Sequence, residues 1–199
     1  MAEPAADSVE LIGGGLRLRP YRDEDAVALL AAVRESVESV GRWLPWCHSG
    51  YDASDAEKWL ADCGETWRSG EHFAFAAFEI ASGQYLGGFG LNQRNRLHNF
   101  MNLGYWVRAS RQRHGIAVRA AHLVATFGFE KVGLSRIEIV AELDNLGSRR
   151  VAEVIGATFE GIGRNRLVAR GKPIDAAVYS LVPATREPVA GNQERLTAW

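Results

Sequence analysis

A chain of 199 residues, 47% apolar and 24% charged, has the size and composition of one soluble globular domain with room for a core. Its net charge of -1 gives no reason to expect nucleic acid or an acidic membrane surface as the main partner, so any anion must be held by a local cluster of basic groups. No apolar run approaches a membrane span, and the acidic opening Met1-Ala2-Glu3-Pro4-Ala5-Ala6-Asp7 does not read as a secretory signal. The two cysteines, Cys47 and Cys63, make neither a disulfide framework nor a metal-ligand spacing. A reducing cytoplasm and a site without metal are the expectations.

Leu16-Arg17-Leu18-Arg19-Pro20 alternates apolar and basic residues, as a half-buried first strand does. Asp23 is placed to cap a helix whose apolar positions Ala26, Leu30, Val33 and Val37 follow the helical period. Ser54, with Glu57 three residues later, makes a capping-box pattern for a second helix. Its inner face reads Ala56, Trp59, Leu60, Cys63 and Trp67, so Cys63 is expected to be a buried thiol. From Glu71 the period changes. Residues 72–80 read as a strand, Ser82-Gly83 as a tight turn and 85–92 as the returning strand. A polar loop at 93–99 leads into a third consecutive strand at 100–108. The stretch 109–115 is dense in basic residues and precedes a helix over 116–131. A β-branched strand at 136–142 and a short helix at 147–155 follow, then two strands, 158–168 and 174–181, meeting at Arg170-Gly171.

Residues 1–183 thus read as a single domain, and the polar stretch 184–199, with Pro188, Gly191 and Asn192, as a loose tail. The fold class is mixed α/β, with about seven mostly antiparallel strands and about four helices. In such sheets ligands sit beyond the carboxyl ends of strands, at helix N-termini.

The residues Arg111-Gln112-Arg113-His114-Gly115-Ile116-Ala117 fall at such a junction. Glycine at 115 lets the backbone turn tightly and approach a ligand. The free N–H groups of the next helical turn and its dipole favour an anion there. Arg111, Arg113, His114 and Arg119 add positive charge around the same spot. The segment reads as a phosphate pocket, or else as a solvated basic loop before a surface helix.

Gln112-x-x-Gly115-x-Ala117 resembles the Gln/Arg-x-x-Gly-x-Gly/Ala pyrophosphate loop of the GNAT acetyltransferase superfamily. About one random chain in five of this length would contain that pattern, so its context must carry the match. Leu103-Gly104-Tyr105-Trp106-Val107 is similar to the strand that leads into this loop in the RimJ/RimL-type branch. Asn145-x-x-Ser148-x-x-Val151-Ala152-Glu153-x-x-Gly156-Ala157-x-Phe159-Glu160-Gly161 resembles that branch's later helix and strand, and Arg42-Trp43-Leu44-Pro45-Trp46 a segment before its second helix.

The resemblance implies a GNAT fold and an acetyl-CoA-dependent N-acetyltransferase. Backbone amides of Arg113, His114, Gly115, Ile116, Ala117 and Val118 would hold the CoA pyrophosphate, with Gln112 shaping the loop. The strand at Trp106, Val107 and Arg108 would pair with the pantetheine arm. Asn145 would bond the pantetheine near its thiol end; it can equally cap a helix. Arg149 and Arg150 are candidates for the 3′-phosphate or plain exposed helix residues.

Acetyl transfer needs a neutral amine, an acceptor for its proton and a donor for the departing thiolate. Many GNAT enzymes carry a tyrosine seven residues after the Asn; here that position is Ala152. Ser148, one helical turn from Asn145, is the candidate acid, or else a residue that caps or satisfies the helix backbone. Glu160 matches a proposed base of the ribosomal-protein acetylases, or is an ordinary solvated glutamate at a strand start, with His72 in reserve as a base or as a structural histidine. Tyr105 and Trp106 read as pocket wall and core. The aromatic segment 43–51 and the second helix would wall the acceptor site, and their few carboxylates favour a peptide N-terminus or simple amine over a polycationic drug. An antibiotic, amino acid or polyamine acceptor, a non-catalytic acyl-CoA sensor and a homodimer stay open.

Overall fold

The computed structural model describes residues 4–183, and the expected tail at 184–199 lies outside the described residues. In chain order the elements are β1 (Leu11–Gly13), β2 (Leu16–Pro20), α1 (Ala26–Glu35), α2 (Ala53–Ser69), β3 (Phe73–Glu79), β4 (Tyr85–Asn95), β5 (Phe100–Val107), α3 (Ile116–Phe127), β6 (Arg136–Glu142), α4 (Leu146–Val154), β7 (Thr158–Ala169) and β8 (Lys172–Leu181). The strands form one sheet in the order β1-β2-β3-β4-β5-β6-β8-β7. The expected mixed α/β architecture with four α-helices holds, and the sheet has eight strands rather than about seven. The extra one, β1, is three residues long and shows no period of its own. It pairs with β2 through Gly14 and Gly15, whose φ of 57° and 78° suits a two-residue hairpin turn.

Helix starts differ from the expected ones because other carboxylates organise the chain just before them. The N-cap of α2 is Asp52, not Ser54. Its Oδ1 accepts from the amides of Ser54 (2.8 Å) and Asp55 (3.2 Å), and Asp55 returns a bond to the Asp52 amide (3.0 Å). Asp25 rather than Asp23 stabilises the entry to α1. Its buried carboxylate accepts from the Arg22 amide at 2.8 Å and from both Arg19 guanidinium nitrogens. The buried face of α1 is Leu29, Ala32 and Val33, and the helix ends at Glu35, before Val37. The expected helix at 116–131 is α3 followed by a π-helical turn, Gly128–Val132. There the chain passes so close to the sheet that a Cβ on Gly128 would meet Ile137 and Leu91 at 2.9 Å.

Alternation along the strands sorts side chains onto two faces. Phe73, Phe75 and Ala77 join Leu103, Ile137 and Tyr179 under α3 and α4. Ala76, Phe78 and Tyr85 join Leu29 and Val33 of α1 and Leu60 of α2. Cys63 is buried, as expected for that helix face, and so is Cys47.

The feature that positions a site is the contact between β5 and β6, the one parallel pairing among the described residues. Only three positions pair: Phe100 with Arg136, Met101 with Ile137 and Asn102 with Glu138. Beyond them β5 runs on to Val107 beside β4, and β6 to Glu142 beside β8, so the two strands part and open a gap toward their carboxyl ends. The edge of β5 from Leu103 onward faces that gap without a neighbouring strand.

Candidate active site

The chain leaving β5 forms a cradle for an anion at the mouth of the gap. Arg113 and Gly115 adopt φ of 64° and 70°, which turns successive amides to one side before α3 begins. Among the described residues, the six amides from Arg113 to Val118 find no acceptor in the protein; the first amide of the series to do so is that of Arg119, bonded to the Gly115 carbonyl at 3.2 Å. A Cβ on Gly115 would meet no atom within 4 Å, so glycine serves the backbone conformation and keeps the approach open. Ile116 anchors the first turn in the core, 3% exposed, while Ala117 and Val118 continue the helix.

The surrounding charges are more committed than the sequence implies. Arg111 is paired with Glu79. Arg119 donates to the carbonyls of Gly14 (2.6 Å) and His114 (3.1 Å). His114 is locked through its Nδ1, which donates to the Gln112 carbonyl at 2.7 Å. Among the described residues Arg113 has no such ion pair, and it adds its charge to the helix N-terminus. A cavity of about 480 Å³ opens beside the loop, lined by Glu79, Leu86, Arg111, His114 and Arg119 among others.

A second set of contacts moors this loop to the end of α1. Glu35 accepts from Nε and Nη2 of Arg108, at 2.9 and 2.6 Å, and from the amide (3.2 Å) and hydroxyl (2.8 Å) of Ser110. These donors hold its carboxyl near 2, below the usual carboxylate range, with the Arg108 bonds the largest cause. Ser36 Oγ accepts from the Ala109 amide at 3.0 Å. Gln112 spans Ser39 Oγ (3.1 Å) and the Val107 carbonyl (3.0 Å). The Arg108 side chain, which also donates to the Tyr85 carbonyl, therefore builds the loop. Sequence reasoning missed Glu35, Ser36 and Ser39, because 73 residues separate Glu35 from Arg108 and no local pattern connects them.

The loop from β6 brings Asn145 and Ser148 to the same end of the sheet. Asn145 is the N-cap of α4, its Oδ1 accepting from the Ser148 amide at 3.1 Å, which leaves its Nδ2 to donate elsewhere. The Ser148 hydroxyl lies 3.1 Å from the Tyr105 hydroxyl, which also reaches the Ser148 carbonyl at 3.1 Å. Ala152 is fully buried. Arg149 turns inward, to the Tyr179 hydroxyl (3.1 Å) and the Leu143 carbonyl (3.0 Å), while the exposed Arg150 pairs with Glu153.

Glu160 is not brought to this group. It sits on β7, two strands out from β6, and turns toward the first residue of β6. Arg136 holds both its oxygens, one at 2.6 Å, and Ser180 donates to it at 2.7 Å. Its carboxyl is held near 2, Arg136 being the largest cause. A carboxylate whose oxygens are already filled by Arg136 and Ser180 is poorly placed to take a proton from a substrate amine.

The face of β4 and β5 away from α3 carries a different surface. Gly88 opposes Trp106, and Gly90 opposes Gly104. A Cβ on Gly88 would lie 2.6 Å from both Trp106 Nε1 and the Tyr21 hydroxyl, and one on Gly90 3.0 Å from His72 Nε2. The glycines thus make a floor on which three polar atoms converge. Trp59, expected inside α2, is 36% exposed and stands edge-on to Tyr21 (6.2 Å) and His72 (5.6 Å), so it walls this cleft. Trp46 closes on Trp106 at 5.4 Å from the segment before α2. Burial alone lowers the basicity of His72 to about 4, so the imidazole is neutral in the physiological range. Repeated glycines inside a strand, Gly87, Gly88 and Gly90, are the sequence signal that marks such a close approach.

An opened parallel strand pair with an amide cradle at its mouth defines the class. Residues 15–158 match the model of the acetyltransferase (GNAT) domain: the chain belongs to the GNAT family and is an N-acetyltransferase of that family. Among its relatives is "Putative ribosomal N-acetyltransferase YdaF" of Bacillus subtilis (strain 168), 26% identical over 169 residues that cover 84% of this chain and 91% of the relative. A GCN5-related N-acetyltransferase from Brucella melitensis superposes with a TM-score of 0.75 at 27% identity, over 90% of this chain and 80% of that one. Mycobacterium smegmatis RimJ in complex with CoA-disulfide shares the fold, with a TM-score of 0.74 at 24% identity, over 88% and 86% of the two chains. Among the described residues no cluster of His, Cys, Asp or Glu is placed to hold a metal ion, and no helix is long and apolar enough to cross a membrane.

Proposed function

We propose that this chain moves an acetyl group from acetyl-CoA to a primary amine, the α-amino group of a protein N-terminus, by direct attack in a ternary complex. The observation that carries this reading is the gap between β5 and β6 with six unbonded amides at its mouth. The residues fit the co-substrate: a pyrophosphate matches the amides of residues 113–118, and an extended arm matches the edge of β5 from Leu103 onward, which has no neighbouring strand. Acetyl-CoA would supply an acetyl group activated as a thioester.

The chain's own groups then divide the work between the two faces of the sheet. On the α4 side, Asn145 Nδ2 holds the end of the arm, and Ser148 Oγ–H donates to the sulfur as it takes up charge. On the glycine floor, the neutral His72 Nε2 accepts a hydrogen bond from the incoming N–H and takes its proton as attack acidifies the nitrogen. Trp59, Trp46 and Tyr21 exclude water around the amine. The base role expected for Glu160 passes to His72. The neutral, aromatic cleft favours a peptide end over a polycation, and the name of the B. subtilis relative points to ribosomal proteins as acceptors. A cytoplasmic location agrees with the two unpaired cysteines.

Thiol release from acetyl-CoA, measured against peptides with free N-termini, amino acids, polyamines and aminoglycosides, tests the reading. Turnover with peptides at the highest kcat/KM is expected. CoA binding without turnover on any amine would replace the enzyme by an acyl-CoA sensor.

A further inference from the structure

We infer that Tyr105 is a positioning residue for Ser148, its phenol fixing the serine hydroxyl so that the Oγ–H is left free to meet the sulfur of the bound thioester. The inference rests on the proposed acid role of Ser148 and adds the group that makes it effective. Tyr105 lies on the face of β5 turned toward α4, its ring stacked on Phe89 at 6.2 Å and 21°. That contact fixes the ring plane and leaves the hydroxyl as the group that reaches across to the helix. It comes within 3.1 Å of Ser148 Oγ and 3.1 Å of the Ser148 carbonyl.

The carbonyl stands inside α4, where the helix supplies its own amide donor four residues on. The single phenol proton can go to that carbonyl or to Oγ; we assign it to Oγ, because the carbonyl already accepts from its own helix and Oγ has no other hydrogen-bond partner among the described residues. With Oγ accepting from Tyr105, its own hydrogen cannot turn back to the phenol and must point away, toward the gap. Two hydroxyls in series also polarise one another, so the Oγ–H becomes a better donor than an isolated serine. No proton leaves the phenol; the pair stabilises charge on the sulfur by hydrogen bonding.

The test is a kinetic cycle with a spectroscopic arm. Tyr105→Phe keeps the stacked ring and should lower kcat about five- to tenfold, the worth of one hydrogen bond, with the CoA dissociation constant unchanged. In a Ser148→Ala background the same change should have no further effect on kcat. Additive effects, or a Tyr105→Phe variant with wild-type kcat, would overturn the inference while leaving the acid role of Ser148 intact. If Ser148→Ala itself turns over at the wild-type rate, the underlying reading fails instead. The spectroscopic arm needs no turnover: with 3-fluorotyrosine at position 105 in the substrate-free protein, Ser148→Ala should shift the ¹⁹F resonance. An unmoved resonance would show that the two hydroxyls are not bonded.

Discussion

His72 stays uncharged because burial beside Trp59 lowers its basicity to about 4 with no carboxylate to raise it. The unfolded chain protonates the same imidazole near 6.5, so its contribution to stability is complete above about pH 6.5 and is lost as pH falls toward 4. Between pH 7 and pH 5 a His72→Gln variant should therefore lose less stability than the wild type, by about 1–2 kcal/mol, read from urea melts at the two pH values. Ser148→Ala should lower kcat about 10- to 100-fold, the low end for a weak acid, and leave CoA affinity intact. It should not unfold α4, because the cap bond runs from Asn145 Oδ1 to the amide of residue 148, which alanine keeps. Asn145→Ala, in contrast, should cost about 1 kcal/mol in thermal melts. The spacing that puts Asn145 and Ser148 one helical turn apart was legible in the sequence. The contact of Tyr105 with Ser148 was not, since the two lie 43 residues apart. The Glu-Gly step at Glu160 marks a strand start but says nothing of Arg136, 24 residues back in the chain, which fills the carboxylate.

At the scale of elements, the anion cradle works as a unit only if its stem is fixed. The loop from Arg108 to Gln112 is tied to α1 through Glu35, Ser36 and Ser39, so the six amides of residues 113–118 are aimed before any ligand arrives. Glu35→Gln should therefore weaken CoA binding several-fold while the core stays intact, and speed hydrogen exchange of the Ala109 and Ser110 amides. The carboxyl of Glu35 lies near 2 in the folded protein. Its contribution is present above the unfolded value of about 4.5 and is lost as pH falls from there toward 2, so CoA affinity should fall in the same window. The elements themselves were largely legible. Alternation and turn signals placed seven of the eight strands, and the strand at Arg136–Glu142 fell on its expected bounds. What escaped were boundaries set by distant or competing partners: the Asp52 cap two residues ahead of Ser54, the Asp25 carboxylate drawn to Arg19, and the π-turn at Gly128 packed on Ile137.

For the molecule as a whole, the sheet, α2 and α3 share one aromatic core. Phe127 of α3 meets Phe73 at 5.5 Å, Phe75 at 5.2 Å and Trp67 at 6.0 Å, and it is 2% exposed. Phe127→Ala should cost about 3–5 kcal/mol in denaturant melts, the range for deleting a buried aromatic ring. The order of elements in the sequence was enough to infer the mixed sheet. The gap itself could not be read, because it depends on how many residues of β5 and β6 pair, and pairing between strands 36 residues apart leaves no local mark. The central claim is that this gap and its amide cradle bind CoA, and titration calorimetry of CoA into the wild type and Gly115→Glu tests it most directly. Position 115 holds φ of 70°, which a glutamate adopts only with backbone strain, but its Cβ would meet no atom within 4 Å, and its carboxylate would stand against the phosphates. Saturable binding by the wild type, and none by a folded Gly115→Glu protein, is the expected result. Equal CoA affinity in both folded proteins would contradict it.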